Sequence, residues 1–190
     1  MLLDFYEKYL GEFSNAWSLK QKNYNIQVLE FKNQPFANVN TYITLGLSHY
    51  SLNQKSKNKI RQELIFSINY SYSNNEIASL LLTLSEGIVA SSNALMKGET
   101  IELGKTLIDN VKCNSVFVTN PGFFEESFDY YKYEEGDVYL CWLIPILDEE
   151  KKYILQNGWS NFEHVLEKIT DINLFWDLSR KSFLSTTTNS

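Results

Sequence analysis

The densest concentration of functional side chains lies in residues 123–137, FFEESFDYYKYEEGD. Glu125, Glu126, Asp129, Glu134, Glu135 and Asp137 are balanced by Lys132 alone, a net −5 in a chain whose formal charge is −6. Interleaved with them are Phe123, Phe124, Phe128, Tyr130, Tyr131 and Tyr133. Carboxylates steer a cationic partner and speed its encounter. Tyrosine anchors contact surfaces because a large amphipathic ring is fixed at low entropic cost. The chemistry on offer is therefore recognition, and Glu125, Glu126, Asp129, Tyr130, Tyr131, Tyr133, Glu134 and Glu135 are the candidate partner-binding residues. A plainer reading of the same stretch is a solvated β-hairpin tip whose rings cover a sheet.

Catalytic constellations are sparse by comparison. The two histidines are His49 and His164. His164 sits inside a predicted helix and reads as a surface residue. His49 follows Ser48, which suggests a Ser–His dyad, but neighbours on a strand point to opposite faces and cannot easily reach one another. A hydrolase built on His49 is thus the weakest of three functional readings. Glu76, Asp148, Glu149, Glu150 and Glu163 all fall where helix capping or solvation accounts for them. No zinc-type ligand spacing and no glycine-rich phosphate loop occurs in the sequence, so no cofactor or metal is expected. Cys113 and Cys141 are too few and too isolated for a disulfide framework or a zinc site, and Cys141, in the apolar run 138–146, reads as a reduced core thiol.

The chain has 190 residues, 44% hydrophobic, 21% charged and 15% aromatic, which predicts one globular domain with a sizeable core. The acidic balance argues against a nucleic-acid partner, whose binding domains carry a basic face. No apolar run approaches the roughly 20 residues of a membrane span. Met1 precedes a charged amphipathic segment with no secretory pattern, so the expected location is the cytoplasm.

Periodicity supplies the elements that must hold these residues. Leu3, Tyr6, Leu10 and Phe13 form a helical stripe over residues 2–17. Alternation over 24–31 predicts a strand, closed by a turn at Pro35. Ser73 and Glu76 form a capping box before Ile77, Leu81, Leu84 and Ile88, which predicts a buried central helix. Residues 113–119 read as a strand stopped by Asn120-Pro121-Gly122, and a short edge element is expected near Ile101. The apolar run 138–146 predicts a strand buried on both faces, with Pro145 ending its pairing. Asp148 is expected to cap a helix ending at Gly158, and Ser160 with Glu163 to open another reaching about Ile169. Residues 174–178 predict a last docked element, and residues 185–190 a frayed tail, leaving 1–184 as the domain.

Residues 41–70 organise the whole. Ile43, Leu45 and Leu47 alternate with Thr44, Gly46 and Ser48, and Leu64, Phe66, Ile68 and Tyr70 alternate with Glu63, Ser67 and Asn69. Two half-buried antiparallel strands are predicted, joined by an exposed loop carrying Lys55, Lys57 and Lys59. Gly46 suggests a bulge or a close backbone approach, and Arg61 with Glu63 a charge pair at the start of the second strand. T-x-G-L-S at Thr44, Gly46, Leu47 and Ser48, followed by R-x-E-L at Arg61, Glu63 and Leu64, resembles the suppressor of fused family. Ile144-Pro145-Ile146, Glu149 or Glu150, and Gly158 are similar to that family's C-terminal pattern.

The expected fold is α+β, a single domain with a mixed, mostly antiparallel sheet packed by a long central helix and flanked by helices from both ends. The resemblance implies a non-catalytic protein-binding domain, and its small bacterial members resemble immunity proteins. Their expected partner is a cognate protein toxin, basic and nuclease-type, held by tight binding. The alternative is a regulatory or scaffolding module that sequesters a peptide by pairing along a sheet edge.

Overall fold

The computed structural model describes residues 1–18, 24–54, 58–72, 74–103, 111–134 and 136–186. In chain order the elements are α1 (Leu2–Leu10), β1 (Asn15–Ser18), β2 (Gln27–Lys32), β3 (Val39–Leu45), β4 (Leu52–Asn53), β5 (Lys59–Asn69) and α2 (Asn74–Ser91). They are followed by β6 (Thr100–Glu102), β7 (Ser115–Thr119), β8 (Tyr130–Tyr131), β9 (Val138–Ile146), α3 (Asp148–Asn157), α4 (Trp159–Leu166) and α5 (Phe183–Thr186). Short 3-10 turns occupy Leu47–His49, Glu126–Phe128 and Ile172–Phe175. The sheet runs β1-β2-β3-β5-β9-β7-β6, with β4 on β5 and β8 on β9. Every pairing is antiparallel except β5 with β9, which runs parallel from Arg61↔Val138 to Ile65↔Trp142.

The predicted neighbours β3 and β5 do pair, in the register Val39↔Asn69 to Ile43↔Ile65. They are not half-buried strands, however. Leu64, Phe66 and Ile68 pack with Ile77, Ala78, Leu81 and Leu82 of α2 on one face. Ile43 and Ile65 share the other face with Tyr6 and Leu10 of α1, Phe162 of α4, and Trp176 and Phe183 near the C-terminus. The polar members of the alternation are buried because they satisfy one another. Thr41 and Ser67 bond through their hydroxyls at 2.8 Å, for example.

α1 stops at Leu10, well short of residue 17. Gly11 closes it with φ 75, and its N–H donates to the Glu7 carbonyl. Ser14 and Asn15 are then drawn to Glu30, whose buried carboxylate accepts from Ser14 Oγ, Asn15 Nδ2, Asn40 Nδ2 and Tyr42 Oη. That network pulls the chain into the edge strand β1 where a longer helix was expected.

At the C-terminal end the N-cap of α3 is Leu147, not Asp148. Its backbone N–H donates to Glu150 Oε2 at 2.8 Å. Glu150 is fully buried and also ion-paired with Arg180 Nη1 at 2.6 Å. The Ser160–Glu163 box does not form, since α4 starts at Trp159 directly after Gly158. Glu163 turns instead to Thr119 Oγ1 at 2.7 Å and Lys97 Nζ at 3.1 Å. Pro145 does not end the pairing of β9, because it lies beside β7, opposite Val116, beyond the part of β9 that bonds β5. Ser185 and Thr186 belong to α5, while the expected cap Ser73 and residues 187–190 lie outside the described residues. Among the described residues no helix is long and apolar enough to cross a membrane.

Candidate functional site

β3 ends at Leu45 because Gly46 takes φ 110, a left-handed conformation that L side chains rarely adopt. A Cβ there would also collide with the Asn25 carbonyl oxygen, so the close approach expected at Gly46 is present. The Leu47–His49 turn that follows is tied down by Glu63. Its Oε1 accepts the N–H groups of Gly46 and Ser48, each at 2.9 Å. Its Oε2 accepts from Thr44 Oγ1 at 2.5 Å, and Thr44 Oγ1 itself accepts the Leu64 N–H at 2.8 Å. Arg61 Nη1 donates to the Ser48 and His49 carbonyls at 2.7 and 3.2 Å. Burial pushes the Glu63 carboxyl above its ordinary value, because desolvation outweighs the stabilising bonds from Thr44, Ser48 and Gly46.

This turn also decides the Ser48–His49 question, for a reason other than strand alternation. The two residues lie in a 3-10 turn. Ser48 is buried and gives both its N–H and its hydroxyl to Glu63, while His49 is exposed. His164 is likewise exposed, 3.0 Å from Glu167. Burial pushes the thiols of Cys113 and Cys141 up to about 11 and about 12, away from the reactive thiolate. Among the described residues no three His, Cys, Asp or Glu side chains are grouped so as to hold a metal.

The acidic aromatic segment splits in three. Phe128 is fully buried, and Phe123 and Phe124 are half-buried against the same core as α1. Glu125 and Glu126 are exposed at the start of a 3-10 turn that bonds α1 through Tyr9 Oη and Ser127 Oγ at 2.8 Å. Tyr130 and Tyr131 form β8, opposite Tyr139 and Val138 of β9, and the period of two sends their side chains to opposite faces.

Tyr131 stacks with Tyr133 at 6.3 Å and meets Phe5 at 5.2 Å. Both tyrosines line a cleft of about 620 Å³ together with Leu3, Leu45, Ser48 and Arg61. On the other face Tyr130 lies beside Tyr139, ring centroids 6.5 Å apart, and both line a second cleft of about 390 Å³ with Asp129. Glu134 is exposed at the tip, and Glu135 lies outside the described residues, as do Lys55 and Lys57 of the basic loop. The described candidates are therefore divided between the β8–β9 hairpin and the turn that precedes it, and do not form one patch.

Tyr139 escaped the sequence reading. It sits in the apolar run assigned to a strand buried on both faces, yet it is 47% exposed. Its hydroxyl-bearing ring, the second residue of an otherwise apolar strand, was the available signal.

A model of the suppressor of fused protein family matches residues 22–181. The chain belongs to the suppressor of fused family. Among solved structures it is similar to a suppressor of fused homologue from Neisseria gonorrhoeae, with a TM-score of 0.76 and 14% identity over 96% of this chain and 94% of that one. It is also similar to a chain of the Sufu–Fu complex, with a TM-score of 0.72 and 14% identity over 97% of this chain and 90% of that one. Drosophila Suppressor of Fused aligns with a TM-score of 0.62 and 16% identity over 85% of this chain and 43% of that chain, so here the likeness spans under half of the larger protein. A comparison with curated proteins found no match.

The suppressor of fused motif residues now have physical roles. Thr44, Gly46, Ser48, Arg61, Glu63 and Leu64 are all partners in the one hydrogen-bonded turn. Of Glu149 and Glu150 it is Glu150 that is buried, and Arg180, which it holds, also donates to the Pro145 carbonyl at 2.8 Å. These positions build the domain's frame, and the hairpin is displayed upon it.

Proposed function

We propose that this suppressor of fused domain acts by binding another protein, without a chemical step of its own. Its partner is a cognate toxin, basic and nuclease-type, which it neutralises in the cytoplasm as an immunity protein. The carrying observation is the β8–β9 hairpin. Glu134 at its tip is solvent-exposed, as are Glu125 and Glu126 of the turn that leads into it, and the rings of Tyr130, Tyr133 and Tyr139 are 39%, 50% and 47% exposed. A nuclease carries basic surface to hold phosphate, and this hairpin is the complementary counterpart in charge. The fold is shared with a protein solved in the Sufu–Fu complex, which supports a binding role.

Sheet-edge capture of a peptide is the competing reading. Among the described residues the outer strands offer it little, since β1 has four residues and β6 three. Few main-chain groups are thus presented for pairing. The test is co-expression of this chain with the product of the adjacent gene. A stoichiometric complex that restores growth to cells poisoned by that product supports immunity. Growth arrest unrelieved by the folded domain contradicts it.

A further inference from the structure

We propose that the cleft between Asp129, Tyr130 and Tyr139 is a receptor for an arginine side chain of the protein partner. This deepens the protein-binding reading and rests on it. The cleft is largely apolar, walled by Ile60, Leu95, Val118 and Leu140, and Lys97 and Asp129 are its charged residues. Lys97 is already engaged, 3.1 Å from Glu163 and 5.6 Å from the centre of the Trp159 ring. Among the described residues Asp129 makes no ion pair, and Lys97 acts on it only from a distance. Its Oδ2 takes one long bond, from Asn120 Nδ2 at 3.4 Å, and among the described residues its Oδ1 takes none. Desolvation accordingly pushes its carboxyl upward, with Glu126 adding to the shift and Asn120 and Lys97 opposing it. A half-buried carboxylate in an apolar cleft with no cation in contact is a standing electrostatic cost, which an incoming cation offsets.

The two rings select which cation. Tyr130 and Tyr139 are a directly opposed cross-strand pair, so both faces are offered side by side at the mouth of the cleft, inclined at 37°. A guanidinium plane stacks on a tyrosine face while its forked N–H donors reach a carboxylate, an arrangement that a lysine ammonium does not reproduce. The net −5 of residues 123–137 supplies the long-range attraction that brings such a side chain to the cleft.

The probe is N-acetyl-arginine amide, titrated into the full chain while the ring signals of Tyr130 and Tyr139 are followed by NMR. The expected result is saturable shifts at both rings, with affinity about tenfold lower for the uncharged citrulline analogue and for Asp129→Asn. Equal binding of arginine and citrulline, unchanged binding by a folded Asp129→Asn, or no saturable shift at either ring overturns the proposal. A lysine amide that binds as well as arginine overturns the assignment to arginine. This titration needs no toxin, so it can fail while the immunity reading stands, and it can succeed if the toxin complex never forms.

Discussion

Glu63 lies buried beneath the Leu47–His49 turn, which lines one cleft with Tyr131 and Tyr133, whereas the carboxylates of residues 123–137 lie at the surface around those tyrosines. Glu63 is fully buried and spends both oxygens on Thr44, Gly46 and Ser48. Glu125, Glu126 and Glu134 are exposed, and among the described residues the Asp129 carboxylate accepts a single long bond. The first arrangement leaves no capacity for a ligand, and the second leaves nearly all of it. A charged residue that resembles a family motif is thus a poor guide to the contact surface here. The residues that carry the resemblance are consumed in holding the fold, and those with bonding capacity to spare lie on this chain's own hairpin.

The comparison breaks most visibly if the buried charges prove dispensable. Arg180→Ala should cost about 3–5 kcal/mol, because it strands the buried Glu150 carboxylate without its cation. A denaturant midpoint within error of the parent would show that Glu150 is compensated some other way. Next, Phe66→Ala or Leu64→Ala should each cost roughly 2–5 kcal/mol, since both side chains are fully buried among the residues of α2. Thermal melts that barely move would misplace the face on which α2 packs. Neither change touches the hairpin, so binding by the folded fraction should persist.

On the hairpin side the effects move from stability to binding. Tyr131→Ala should weaken a toxin complex by about 2 kcal/mol, mainly through faster dissociation. Its loss from the stack with Tyr133 and Phe5 should lower the melting temperature only slightly. Unchanged dissociation from a folded variant would remove Tyr131 from the interface. The smallest effect is one of slope. Because burial raises the Glu63 pKa, the folded chain keeps that proton where the unfolded chain has lost it. Parent stability relative to Glu63→Gln should therefore fall as pH rises from acid through the raised value. A difference that grows with pH would mean that hydrogen bonding, not desolvation, governs this carboxyl.

Strands and helices announced by long periodic runs were legible, as β9, α2 and the β3–β5 pair show. Where the reading failed, a local signal met a tertiary partner that outweighed it. Thr44, Ser67 and Glu63 looked solvent-facing because polarity alone does not reveal a partner many residues away. Gly11 and the pull of Glu30 on Ser14 and Asn15 shortened α1, and Glu163 preferred Thr119 and Lys97 to a capping role. The hairpin was legible as composition and not as geometry. Only pairing with β9 shows that Tyr130 and Tyr131 serve opposite faces, and that Tyr139 joins the first of them.

The most direct test of the account is the rate of complex formation with the proposed toxin partner at low and at high salt. Replacing Glu125, Glu126, Glu134 and Glu135 together with Gln should slow association at low salt, flatten its salt dependence and leave dissociation nearly unchanged. A folded quadruple variant that associates as fast as the parent, with the same salt dependence, would contradict the assignment of this hairpin as the surface that meets the partner.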